Sequence, residues 1–180
     1  VAMRTVAEKD AAFHRFSRFV QTEDEDEAVA RIDGLAATHG IDPLGIVDRL
    51  VMDAGELREL SRDPLAHFGA HTLTHVNLRR VDETRLAAEL AGSAEAVADY
   101  TGRAPQSLAY PYGYATAVGE REFRAAAAAG FKVAVTTQPG GLGPGRPERP
   151  MALGRVSLNG LYQKKRLVKA LISGIPFKVM

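Results

Sequence analysis

The chain has 180 residues, enough for one domain with a real core, and its 46% hydrophobic and 25% charged residues argue against global disorder. A formal net charge of +1 argues against nucleic acid or an anionic membrane as the main partner, and the absence of cysteine removes disulfides, thiolate nucleophiles and Cys-based zinc sites together. No apolar stretch approaches membrane-spanning length and nothing at the N-terminus resembles a signal peptide, which leaves cytoplasm and cell envelope both open. The opening Val1-Ala2-Met3 suggests a true start upstream. Residues 1–180 are read as a single domain, with 1–62 as a helical lead-in and 63–180 as a β/α region.

In chain order, Val6, Phe13, Phe16, Phe19 and Val20 give one apolar face to a helix from about Thr5 to Gln21. Glu23 to Glu27, five acids in a row, open a second helix whose inward positions are Val29, Ile32, Leu35 and Ala36. The acids suit a helix N-terminus better than a docking patch. Asp42-Pro43 starts a third short helix with Asp as N-cap. Asp53-Ala54-Gly55-Glu56 has capping-box spacing and leads into Leu57 and Leu60. His14 and His39 are expected at the surface or at helix ends.

From Asp63-Pro64 onward, short strands alternate with helices. The apolar run Leu65 to Ala70 predicts a buried strand ending at His71-Thr72-Leu73-Thr74-His75. A helix follows from about Asp82 to Tyr100 with Leu86, Leu90 and Val97 inward, closed by Gly102 as a left-handed cap. Ser107 to Tyr110 predicts a strand ending in Pro111-Tyr112-Gly113. Glu120 to Ala129 predicts a helix stopped by Gly130, and Phe131 to Thr136 another strand. The Gly/Pro-rich stretch Pro139 to Pro150 reads as a surface loop. Leu153 to Leu158 suits a last strand, and Leu161 to Ile172 a basic amphipathic helix with Lys164, Lys165, Arg166 and Lys169 solvated. This alternation predicts a parallel sheet with crossover helices.

Parallel strands place their C-terminal ends on one rim, so His71 to His75, Tyr110 to Gly113 and Thr136-Thr137 are expected to meet there. Two neutral imidazoles at i and i+4 converge on one point if the segment makes a helical turn, and imidazole is a strong ligand for zinc-like cations. An ordinary local hydrogen-bonding pair is the bland alternative.

Gly69 to His75, Leu108 to Gly113, Gly130 to Thr137 and Leu153-Gly154-Arg155, in that order, resemble the polysaccharide deacetylases, over roughly residues 50–175. The resemblance implies an irregular, partly open (β/α) barrel, here without its first strands and preceded by N-terminal helices. It implies metal-dependent removal of N-acetyl or O-acetyl groups from an acetylated amino-sugar oligomer or polymer. By motif position, His71 and His75 would hold a divalent cation, zinc being the usual one, and Thr72 would pin the ligand loop. The backbone N–H of Tyr112 would stabilise the oxyanion. Arg155 would orient the site or bind substrate, and Tyr110, Pro111 and Thr137 would line it.

The departures are specific. Family members carry adjacent aspartates, one a base and one a metal ligand, and this chain has no Asp-Asp. Ala109 stands where many members have Arg, and no histidine follows His75 to act as general acid. Three readings therefore compete: the C-terminal part of a deacetylase, inactive by itself; a non-catalytic glycan-binding or scaffold relative; and an α/β domain with an incidental His pair. A partial barrel exposes sheet edges, so a homodimer or aggregate is expected through the strand preceding His71.

Overall fold

The computed structural model describes residues 3–141, 148–158, 160 and 163–178. The chain forms two compact units, Val1–Asp53 and Ala54–Met180.

The first unit is three helices, α1 (Val6–Thr22), α2 (Glu25–Thr38) and α3 (Pro43–Leu50). Thr5 opens α1 with a reciprocal capping box: its hydroxyl accepts from the Glu8 N–H at 3.2 Å while Glu8 accepts from the Thr5 N–H at 2.9 Å. The acidic run resolves as expected into a cap and a first turn, with the Asp24 carboxylate accepting from the Glu27 N–H at 3.1 Å. Asp42 precedes Pro43 but makes no side-chain cap bond. The apolar faces are less covered than their periodicity suggests. Val6, Phe13, Phe16, Val29 and Leu35 are exposed, and the buried positions of α1 and α2 are the small Ala12 and Ala28. Phe19 is covered instead by the Arg31 guanidinium, 5.0 Å from its ring centre.

The second unit carries the sheet. A short helix α4 (Ala54–Leu60) is followed by an irregular segment, and α5 (Glu83–Thr101) then β1 (Ser107–Ala109), α6 (Glu120–Ala128), β2 (Val133–Pro139), β3 (Leu153–Arg155) and α7 (Lys165–Ile172). The three strands are all parallel in the order β1-β2-β3. Helix α5 is bounded as its sequence predicts: Asp82 accepts from the Arg85 N–H at 2.7 Å, and Gly102 closes it at φ +73°. Leu86 and Leu90 from α5, Leu108 and Tyr110 from the β1 segment, Val118, Ala126 and Phe131, and Ala134 of β2 form one core.

The strand expected over Leu65 to Ala70 is reduced to a single parallel bridge between Ala70 and Leu108. Ala70 donates to Ser107 O at 2.8 Å and accepts from the Ala109 N–H at 2.9 Å, but Leu65 is 87% exposed and outside the core. The run is apolar without being paired, so local composition overstates it. Gly69 allows the close approach: a Cβ there would lie 2.6 Å from Ser107 Oγ. Strand β2 runs further than expected, to Pro139, while β3 ends at Arg155 rather than Leu158. Three residues of β2 but only one of β3 lie between the Val135–Leu153 and Pro139–Arg155 pairs, an irregularity at the C-terminal rim. Part of the Pro139–Pro150 loop (142–147) and the start expected for the last helix (161–162) lie outside the described residues, and within them that helix spans Lys165–Ile172. Among the described residues no helix is long and apolar enough to cross a membrane.

Candidate active site

Immediately after the Ala70 bridge the chain leaves the sheet and folds into the His71–His75 loop. His71 Nδ1 lies 2.6 Å from the carbonyl oxygen of Ala109, the last residue of β1. A carbonyl can only accept, so the ring nitrogen donates, and the neutral imidazole keeps its lone pair on Nε2. This is the arrangement by which a backbone carbonyl orients a metal-binding histidine. The His75 ring stands edge-on to that of His71, with centres 4.8 Å apart, and both residues are exposed. The i and i+4 spacing thus does bring the imidazoles together, but not on a helical turn. Thr72 and His75 both adopt positive φ, 63° and 59°, and the loop folds back on itself. Thr72 stabilises that reversal: its hydroxyl donates to His71 O at 2.6 Å and accepts from the His75 N–H at 3.2 Å.

Beyond β1, Pro111-Tyr112-Gly113 forms a γ-turn closed by Gly113 N–H to Pro111 O at 2.6 Å, with Tyr112 at φ +61°. Positive φ at the centre is the strained hand of this turn. The described non-glycine residues with positive φ are Thr72, His75 and Tyr112, and all three are at this rim. Concentration of strain in one place is a mark of functional sites. The Tyr112 ring meets the His75 ring edge-on at 5.1 Å, so turn and loop form one surface. Strand β2 supports the turn: the Thr137 hydroxyl donates to Tyr112 O at 2.7 Å and the Thr137 N–H to Gly113 O at 2.9 Å.

The other expected site residues are Tyr110, Pro111 and Arg155. Tyr110 is 1% exposed and donates its hydroxyl to Met151 O at 2.9 Å. Burial, reinforced by the negative charge of Glu122, pushes its phenol well up, so it stays a donor. Pro111 is also fully buried. Both side chains, expected to line the substrate side, pack beneath the rim instead. Arg155 is exposed on β3 and donates from Nε to Thr136 O at 2.8 Å, which fixes its stem to β2.

Sequence reasoning missed Glu89. This α5 residue is 3% exposed, and its carboxylate accepts from the Leu73 N–H at 2.9 Å, the Thr74 N–H at 3.0 Å, the Thr74 hydroxyl at 2.6 Å and Arg85 Nε at 3.3 Å. The available signal was a carboxylate on the inward stripe of a helix, between Leu86 and Ser93, where an acid needs partners. Burial opposes its ionisation, but the bonds from Thr74, Leu73 and Arg85 outweigh it and hold the carboxyl below its ordinary value. A lowered carboxyl stabilises the fold above its unfolded-state pKa and loses that contribution as pH falls through the folded one. Protection of the Leu73 and Thr74 amides from exchange is therefore expected to hold at neutral pH and to fall only below the ordinary glutamate range. Equal protection of the two amides on both sides of that range would contradict this.

The donor set fits a divalent cation in part. His71 and His75 supply two accessible, neighbouring imidazoles, one with its tautomer fixed. Among the described residues no group of three or more His, Cys, Asp or Glu converges, so the anionic ligand of such a site is not among them.

The family model for polysaccharide deacetylase matches residues 12–134, and the chain belongs to that family. The match reaches further into the N-terminal helices than the motifs alone suggest and ends in β2. Solved structures show the same fold. A polysaccharide deacetylase from Bacillus cereus is 22% identical, with TM-score 0.58, over 67% of this chain and 36% of that one. The Streptococcus pyogenes deacetylase PplD, solved with acetate, is 18% identical with TM-score 0.57, over 67% of this chain and 50% of that one. A de-N-acetylase from Aggregatibacter actinomycetemcomitans is 16% identical with TM-score 0.51, over 67% and 53%. This chain therefore spans between about a third and a half of the length of these proteins. No curated protein matches it.

Proposed function

We propose that the chain carries the histidine part of a divalent-metal centre that hydrolyses acetyl groups on an amino-sugar polymer or oligomer, with the carboxylates supplied by residues outside these 180. The observation that carries this reading is the 2.6 Å contact of His71 Nδ1 with Ala109 O, beside the His75 ring and the strained Tyr112 turn. His71 and His75 would hold the cation, zinc or a similar ion, which when bound supplies an activated water and polarises the acetyl carbonyl. Thr72 holds the two ligands in register. The Tyr112 N–H, assigned by the family resemblance, donates to the oxyanion that develops as the acetyl carbon becomes tetrahedral. Thr137 keeps that turn in place, and Arg155, bonded to Thr136 O of β2, would orient substrate. An aspartate from outside the chain takes the proton from the attacking water.

A glycan-binding role without catalysis is the second reading, favoured by the missing Asp-Asp pair and by Ala109. Self-association belongs to the proposal too, with the flank of β1 around Ala70 as the edge. Light scattering at high micromolar concentration tests it, and a clean monomer argues against it.

The deciding experiment is acetate release from N-acetylglucosamine oligomers. It compares the product of the complete reading frame with the 180-residue chain, each with and without chelator. The complete product is expected to release acetate in a chelator-sensitive way and the 180-residue chain to release none. Chelator-insensitive release, or equal activity in both, contradicts the mechanism. Binding of the oligomers without release by either form favours the second reading.

A further inference from the structure

We infer that Glu89 is a positioning residue for the histidine pair: its carboxylate, bound to the loop between His71 and His75, sets the geometry in which the two imidazoles face a common ligand. The inference rests on the metal-centre reading above and adds to it a residue outside the histidine motif.

The loop has three residues between its histidines, and Glu89 binds two of them. Its Oε2 accepts from the consecutive N–H groups of Leu73 and Thr74, and its Oε1 accepts from the Thr74 hydroxyl. Consecutive N–H groups converging on one oxygen require a tightly curved backbone, and positive φ at Thr72 and His75 supplies the curvature on either side. Those conformations are unfavourable for residues with a Cβ, so a fixed external anchor is needed to keep them populated. Glu89 is such an anchor because it is itself held. Arg85, one helical turn earlier, pairs with its Oε1 at 3.3 Å and donates from Nη2 to Thr74 Oγ1 at 3.2 Å. Gly92, three residues on and on the same face of α5, makes a second grip: a Cβ there would lie 2.5 Å from Leu73 Cδ1, so the absent side chain is what seats Leu73. Helix α5 thus holds Leu73 by backbone and side chain, and Thr74 by backbone and hydroxyl. His71, on one side of these anchored residues, is locked to Ala109 O, with the His75 ring 4.8 Å from its own.

A group that merely stabilised the unit would change its melting temperature and nothing at the histidines. A positioning residue changes the state of His71 in the folded, metal-free protein. Free neutral histidine favours the Nε2–H tautomer, whereas the bond to Ala109 O enforces Nδ1–H. The test is therefore the His71 ring tautomer by nitrogen NMR at pH 8 without metal, together with calorimetric titration by zinc, in wild type, Glu89→Gln and Thr74→Val. The glutamine variant loses the charge and one acceptor. Thr74→Val removes one of Glu89's donors while leaving its ion pair, so it keeps the test readable if Glu89→Gln fails to fold. Expected is an Nδ1–H tautomer at His71 in wild type, reverting toward Nε2–H in Glu89→Gln and less completely in Thr74→Val. Zinc affinity should fall about 10- to 100-fold in Glu89→Gln, the range for groups that orient metal ligands. A folded Glu89→Gln protein with the wild-type tautomer overturns the inference, as does an unchanged Thr74→Val if the first does not fold. If wild type takes up no zinc, the metal-centre reading fails by itself, and the tautomer comparison still decides the role of Glu89.

Discussion

Replacing His71 and His75 together by alanine is expected to remove zinc binding by the 180-residue chain entirely while leaving its circular dichroism unchanged. Both rings are exposed at the rim and neither contributes to the core, so their loss leaves no cavity. Wild-type binding should itself be weak, because two neutral nitrogens leave the charge of the cation unneutralised. In the product of the complete reading frame either single substitution should reduce acetate release to background, since in the proposed centre both imidazoles hold the same ion. Tyr112→Phe should change little there, because the proposed donor is backbone. Calorimetry and acetate assays read the two effects separately. Zinc binding that survives the double substitution would remove these residues from the site.

The second large effect is expected at Gly113. Its φ of +65° is unfavourable for any residue with a side chain, and an added Cβ would lie 2.6 Å from the Thr137 backbone nitrogen and 3.1 Å from Thr136 C. Both obstacles are β2 backbone, which cannot swing aside as a side-chain tip can. Gly113→Ala should therefore destabilise the second unit by about 2–4 kcal/mol, combining strained φ with overpacking. It should also break the Thr137 N–H to Gly113 O bond that sets the turn. Urea denaturation measures the first and amide exchange at Thr137 the second. A midpoint within error of wild type would show that the turn has another way to relax.

The parts legible from sequence are those that depend on neighbours along the chain. Asp82 and Gly102 announce both ends of α5, and the acidic run from Glu23 to Glu27 announces the start of α2. The His71–His75 spacing and the Pro-Tyr-Gly turn identified the rim, and parallel strands explain why they meet. What was not legible depends on distant partners. Leu65 to Ala70 has a strand's composition, yet only Ala70 finds a neighbour, at Leu108. Tyr110 and Pro111 sit inside a motif that names a site, and burial makes them its floor. The curvature of the histidine loop could not be read from Thr72 or His75, which disfavour positive φ. It is set by Glu89, fourteen residues away in sequence from His75 and adjacent through the fold.

The measurement closest to the central claim is zinc K-edge X-ray absorption on the 180-residue chain loaded with less than one equivalent of zinc. The account predicts scattering from two imidazoles, with oxygen neighbours completing the shell, and loss of both imidazoles in the His71→Ala/His75→Ala protein. Zinc held without imidazole, or with an imidazole shell unchanged in that variant, would contradict it.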